Sequence, residues 1–128
     1  MMITGILHAT FITADLARAR AFYEGVLGLK PDANRPQLGY DGVWYDIAPN
    51  QQIHLMVLPD PEAGLQRPAY GGRDRHVALA ISDMSKLTER LDGAGVAYTL
   101  SKSGRSALFC RDPDQNALEF IAVAHAKD

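Results

Sequence analysis

The chain has 128 residues, 47% of them hydrophobic and 22% charged, with a formal net charge of −2, which suits one globular domain spanning 1–128 and excludes a general nucleic-acid binder with its basic face. Cys110 is the only cysteine, so an intrachain disulfide is excluded and a reducing compartment is natural. No run approaches the ~20 apolar residues of a membrane span, and MMITGILHATFITAD has no basic leader region, so a soluble, cytoplasmic protein is expected.

Residues Ile3 to Thr13 read as a strand, with Ile6, His8, Thr10 and Ile12 on one face and Leu7, Ala9 and Phe11 on the other. Asp15 has the chemistry of a helix N-cap. The helix that follows, LARARAFYEGVLG, carries Leu16, Ala19, Phe22, Tyr23, Val26 and Leu27 as one apolar stripe and stops at Gly28. Leu29 to Leu38 holds two prolines and reads as a short irregular strand and a loop. Tyr40 to Ala48 is a strand with Val43, Tyr45 and Ile47 on one face; Pro49 and Asn50 form a turn. Gln51 to Leu58 is a strand placing Ile53, Leu55 and Val57 opposite Gln52, His54 and Met56.

The Pro- and Gly-rich stretch Pro59 to Asp74 is the candidate linker between a first module (about 1–60) and a second (about 75–128). The second module repeats the order of the first. His76 to Ser82 is a strand with His76, Ala78 and Ala80 on the face away from Val77, Leu79 and Ile81. Asp83 to Gly93 is a helix with Met84, Leu87 and Leu91 as its stripe, ended by Gly95. Strands follow at Val96 to Lys102, Ser106 to Arg111 and Ala117 to Val123, the last two joined by the turn 112–116. His8 precedes Asp15 by seven residues, as His76 precedes Asp83. The layout is strand, helix and three strands, twice over, an α+β protein.

Three of the four histidines, His8, His54 and His76, fall within apolar strand runs, as does Glu119. A single strand histidine is most simply a hydrogen-bonded interior residue, and a strand carboxylate is as readily explained by a solvent-facing edge. Jointly they have a more economical account. An ionised carboxylate in an apolar interior costs several kcal/mol unless it meets a cation. Imidazole and carboxylate donors without thiolate suit one divalent metal, Zn, Fe(II), Mn, Co or Ni, and not a finger-type zinc site.

The helix DLARARAFYEGVLGL after a histidine-bearing strand, RHVALAI before a capped helix, and FCRDPDQNALEFI near the end together resemble the vicinal oxygen chelate superfamily over nearly the whole chain. That superfamily includes glyoxalase I, methylmalonyl-CoA epimerase, fosfomycin-resistance enzymes, extradiol dioxygenases and bleomycin-resistance proteins. The resemblance implies two βαβββ modules forming a curved mixed sheet around a central cavity. Its ligand positions fall on His8, His76 and Glu119, and a fourth falls on His54. In glyoxalase I that fourth place is a glutamate acting as ligand and base, so an imidazole there changes both charge and proton chemistry.

The implied activity is a metal-dependent, glyoxalase-like lyase or isomerase acting on a small oxygenated metabolite chelated through adjacent oxygens. Glu119 and His54 are the candidate proton carriers, and His54 is either a fourth ligand or a base. The alternatives are an Fe(II) dioxygenase of the ring-cleavage type using His8, His76 and Glu119, a metal-free drug- or metabolite-binding protein, and, more narrowly, fosfomycin thiol transfer. Tyr45, Met56, Phe109 and Arg111 are candidate substrate contacts, although core packing is the plainer account of the first three. Arg35, Arg73 and Arg75 lie near loops, where solvation is the rule. Cys110 reads as a buried filler, and His125 as part of a polar tail. A homodimer is implied, its ligands meeting within one chain or across a two-fold axis.

Overall fold

The computed structural model describes residues 1–123, so His125 lies outside the described residues. The chain divides into two compact units, one covering Met1–Ala63 and the other beginning at Gly64. In the first, β1 (His8–Thr13) leads into α1 (Leu16–Arg20) and a π-type helical segment (Ala21–Val26), then β2 (Lys30–Pro31), β3 (Gly42–Ala48) and β4 (Gln51–Val57). In the second, a short 3₁₀ turn (Gly71–Arg73) precedes β5 (His76–Ile81), α2 (Met84–Gly93), β6 (Tyr98–Leu100), β7 (Ala107–Arg111) and β8 (Ala117–Ala122). Each unit is a four-stranded mixed sheet, ordered β1-β4-β3-β2 in one and β5-β8-β7-β6 in the other. First and last strands pair in parallel and the remaining pairs are antiparallel. The expected α+β pattern of two βαβββ modules is therefore observed.

The repeat extends to the caps. Asp15 and Asp83 hold nearly the same extended backbone, φ/ψ −145/103 and −146/100. Their carboxylates accept the Arg18 N–H at 3.1 Å and the Lys86 N–H at 3.0 Å, each meeting one otherwise unpaired donor of a first helical turn. The first helix differs from its expected form in its second half. Leu27 N–H reaches back five residues to Phe22 C=O, widening the winding before Gly28 turns the chain at φ +76.

Several strands are shorter than expected. Strand β1 begins at His8, not Ile3: Gln52 N–H still reaches the Leu7 carbonyl at 2.9 Å, but β4 begins at Gln51 and has no residue left to face Ile3 to Ile6; Ile6 and Leu7 stay 75% and 68% exposed. In the 29–38 stretch Lys30 and Pro31 pair with Asp46 and Tyr45, and Asp32 N–H adds one bond to the Trp44 carbonyl at 2.7 Å. The strand expected at 96–102 contracts to Tyr98–Leu100, followed by one further bond to β7 from Ser101 N–H to the Ala107 carbonyl at 2.9 Å.

One face of each sheet belongs to the core. In the first unit Val43, Tyr45, Ile53 and Leu55 are buried with Ala19, Phe22 and Tyr23 of the helix, and Tyr23 stacks on Tyr45 at 5.7 Å between ring centres. In the second, Leu108, Cys110, Leu118 and Phe120 are buried together with Leu87 and Leu91. Burying side chains of this size stabilises by roughly 1.5–3 kcal/mol each, less the entropy of ordering them. The opposite faces carry the chemistry.

Candidate functional site

Strand pairing decides which candidates meet. In β4 and β3 His54 lies directly opposite Trp44, and in the parallel pair it lies opposite Thr10, one rung beyond His8 on the same face. The result is a column of three rings. His54 sits between Trp44, at 4.2 Å and 4° from parallel, and His8, at 4.0 Å and 13°. Its Nε2 lies 2.8 Å from Gln52 Oε1. Gln52 donates its amide protons to Asp32 Oδ2 and Asp46 Oδ1, each at 2.9 Å, so its carbonyl oxygen must accept and His54 Nε2 must carry the proton. Nδ1 is left with its lone pair. Burial holds the His54 pKa below the ordinary imidazole value, helped by the neighbouring charges of His8 and Arg35 and opposed by Asp32.

The corresponding positions of the second unit are filled differently. Glu119 takes the place of His54, opposite Phe109 in β7 and Ala78 in β5. It is 3% exposed. His76 Nε2 is 3.3 Å from Glu119 Oε1, and His76 meets Phe109 edge-on at 5.2 Å. His76 Nδ1 lies 2.8 Å from the Asp74 carbonyl, which can only accept. Nδ1 therefore carries a proton, and Nε2 is turned toward a carboxylate oxygen. A ring nitrogen and a carboxylate oxygen at this distance need a cation or a proton between them. Cis ligands at metal bonds of about 2.1 Å stand roughly 3.0–3.4 Å apart, so this donor pair fits a divalent ion, with Asp74 as the partner that orients its imidazole.

Among the described residues no three His, Cys, Asp or Glu side chains gather into a metal-sized cluster. The candidate ligands come as two pairs, His8 with His54 and His76 with Glu119. Each unit also has a shallow cleft of about 340 Å³, one touching His8, Asp46 and Gln52, the other touching Phe109, Thr99 and Gln115.

Two expected substrate contacts are placed elsewhere. Tyr45 is fully buried on the core face, and its hydroxyl donates to Glu24 Oε2 at 2.8 Å. Alternation along β3 puts Tyr45 and Trp44 on opposite sides, so only one of them can face the histidines. Arg111 shares the Glu119 face by register, but its guanidinium donates to Asp74 Oδ2 (2.8 Å), Gln115 O (2.7 Å) and Pro68 O (2.6 Å). It clamps the segment that carries Asp74. Met56 and Phe109 do lie on the faces of His54 and Glu119.

Sequence reasoning missed Trp44, Gln52 and Arg105, which donates to Glu119 Oε2 at 3.0 Å. For Trp44 the signal was the β3–β4 register, hidden by an irregularity between Asp46 and Ala48; Gln52 was placed on the His54 face by alternation, but its role depends on Asp32 and Asp46, which local pattern does not bring near. Arg105 lies in a loop and gave no periodic signal.

The model of the Glyoxalase/Bleomycin resistance protein/Dioxygenase superfamily matches residues 5–120. A lactoylglutathione lyase of Salmonella typhimurium is 27% identical over 94% of both chains. The protein named Glyoxylase I 4 of Arabidopsis thaliana is 26% identical over 91% of this chain and 70% of its own length. Among solved structures, a mutant of the fosfomycin resistance protein FosX from Listeria monocytogenes, complexed with Mn(II) and 1S,2S-dihydroxypropylphosphonic acid, superposes with a TM-score of 0.73 at 23% identity, over 94% of this chain and 93% of that one. Among the described residues no helix is long and apolar enough to cross a membrane. The match of one family model to nearly the whole chain, on a fold its solved relatives share, makes this protein a member of the glyoxalase/bleomycin resistance protein/dioxygenase superfamily, the vicinal oxygen chelate proteins.

Proposed function

We propose that the protein is a divalent-metal-dependent, glyoxalase-like lyase or isomerase acting on a small metabolite with two adjacent oxygens, and that His8, His54, His76 and Glu119 are its metal ligands. The observation that carries this reading is the 3.3 Å approach of His76 Nε2 to Glu119 Oε1, with Nδ1 committed to the Asp74 carbonyl. Relatives named as lactoylglutathione lyase and glyoxylase I support the reaction class. The Mn(II) of the FosX complex, a fold neighbour, supports a hard divalent ion.

The metal, when bound, supplies Lewis acidity toward the substrate's adjacent oxygens. The chain's own groups do the rest. Isomerisation moves a proton between neighbouring carbons, and two groups have the chemistry to carry it when not engaged as ligands: the Glu119 carboxylate and His54 Nδ1. The Gln52–Asp32–Asp46 network fixes the tautomer that leaves His54 Nδ1 unprotonated. Trp44 and Phe109 offer flat apolar walls beside the two donor pairs. Each unit carries two donors, so a set of four needs two units, drawn from one chain or from a homodimer.

A second reading has one observation in its favour. His54 is stacked between Trp44 and His8 and tied to Gln52; if it serves there as a wall of the site and not as a ligand, His8, His76 and Glu119 form a two-histidine, one-carboxylate set suited to Fe(II) and a ring-cleaving dioxygenase. Elemental analysis of untagged protein, purified without chelator, separates the readings. About one Ni, Zn, Co or Mn per chain, lost in the His76→Ala, Glu119→Ala double variant, is the expected result. Iron favours the dioxygenase. A wild type without metal, even after divalent ions are added back, overturns both and leaves a metabolite-binding protein.

A further inference from the structure

We propose that Arg105 is the resident counter-ion of Glu119, that a divalent cation must displace it, and that Arg105 thereby sets the metal affinity of the second unit. The inference rests on the reading of His76 and Glu119 as ligands.

Glu119 is 3% exposed in the middle of β8. A buried carboxylate without a cation is strongly disfavoured. One of its oxygens faces His76; the other accepts from Arg105 Nη2 at 3.0 Å. Arg105 comes from the loop between β6 and β7, and its side chain is 57% exposed. It therefore loses little hydration in making the pair and regains it easily on leaving.

Its aim is built into the loop. Ser103 Oγ accepts from both the Arg105 backbone N–H (3.4 Å) and its Nε–H (3.2 Å), and sits 2.7 Å from Ser101 Oγ. With Nε engaged, the outer nitrogen is directed at Glu119. The loop is anchored on its other side, where Lys102 N–H donates to Tyr70 Oη at 3.2 Å and Lys102 Nζ lies 4.5 Å from the centre of the Tyr70 ring.

A dication bound between His76 and Glu119 would meet this guanidinium as a like charge at close range. Repulsion of that kind is screened by the exposure of Arg105 yet is still large enough to change an equilibrium several-fold. The first unit is arranged differently at the matching rung, where His54 is neutral and is partnered by an amide.

The test is calorimetric titration of the full chain with MnCl2 and NiCl2, comparing wild type with Arg105→Gln and Arg105→Lys. Arg105→Gln is expected to bind at least about fivefold more tightly, while Arg105→Lys stays within about twofold of wild type. The rise in Tm on adding Mn(II) is expected to be larger in Arg105→Gln, because its Glu119 lacks a counter-ion until metal arrives. Hydrogen exchange across residues 101–106 of the wild type is expected to rise with Mn(II). Circular dichroism verifies that each variant is folded. Equal or weaker binding by Arg105→Gln overturns the proposal and leaves the metal reading intact. Failure of wild type and Arg105→Gln alike to bind either ion overturns both.

Discussion

The two units share topology, strand order and capping geometry, yet they place opposite chemistry on equivalent rungs. Where the first has His54 against Trp44, the second has Glu119 against Phe109. The first holds its donors as a stack of rings, with His54 oriented by an amide and two carboxylates. The second holds an anion between a histidine and an arginine. The backbone dictates only that a side chain at this rung faces away from the helix and toward the strand beside it. What fills the rung sets the charge of the site, and among the four candidate donors the negative charge rests on one unit alone.

The comparison is broken most severely at its charged member. Glu119→Ala is expected to weaken Mn(II) binding about 100-fold or more in a calorimetric titration, because it removes the one anionic donor of the four. His54→Ala is expected to cost about tenfold, since a neutral donor is lost. Equal losses at the two positions would make the units chemically equivalent as ligand donors despite their different charge.

A smaller effect separates the core face from the chemical face within the first unit. Tyr45→Phe removes a buried hydroxyl that donates to Glu24. Unfolding by urea should show a loss of about 1–2 kcal/mol, with the metal titration unchanged. A changed metal affinity would place Tyr45 with the donors after all.

The smallest effect is one of pH. The hydrogen bond from Arg20, with a second from Tyr45, outweighs burial and holds the Glu24 carboxyl below the usual carboxylate range. A carboxyl depressed in the folded state contributes stability above its unfolded pKa of about 4.3, and that contribution is lost as pH falls through the folded value. The helix of the second unit offers a different pair, Asp92 with the Tyr98 hydroxyl. Glu24→Gln should therefore flatten the acid limb of a Tm-against-pH curve while lowering Tm slightly at neutral pH. An unchanged acid limb would remove Glu24 from the account of acid sensitivity.

The two-module architecture was legible because its signals are local and repeated: strand histidines seven residues before capping aspartates, and glycines closing both helices. The candidate ligands were legible because a polar side chain in an apolar run stands out. Their partners were not. Trp44 meets His54 only through a strand register that an irregularity beside Asp46 shifts, and Gln52, although alternation puts it on the His54 face, is fixed by carboxylates outside its own strand, Asp32 and Asp46. By the same alternation Tyr45, a plausible pocket residue on composition, turned inward to Tyr23 and Glu24. The sequence singled out Arg111, at the end of a strand, as a substrate contact and passed over Arg105, which lies in a loop. Only the folded loop assigns one to clamping Asp74 and the other to Glu119.

The parallel pairing of first and last strands has a consequence for synthesis. His8 pairs at the Gln52 rung and Thr13 at Val57, as His76 pairs at Ala117 and Ile81 at Ala122. A ribosome makes β1 long before β4 exists to receive it, and β5 long before β8. Each opening strand, with its apolar Phe11 or Leu79, must wait with its amides unpaired while the helix and two more strands emerge. A nascent chain stalled short of residue 51 or 117 would thus present an orphan strand edge, the part of the molecule with the greatest need of a chaperone.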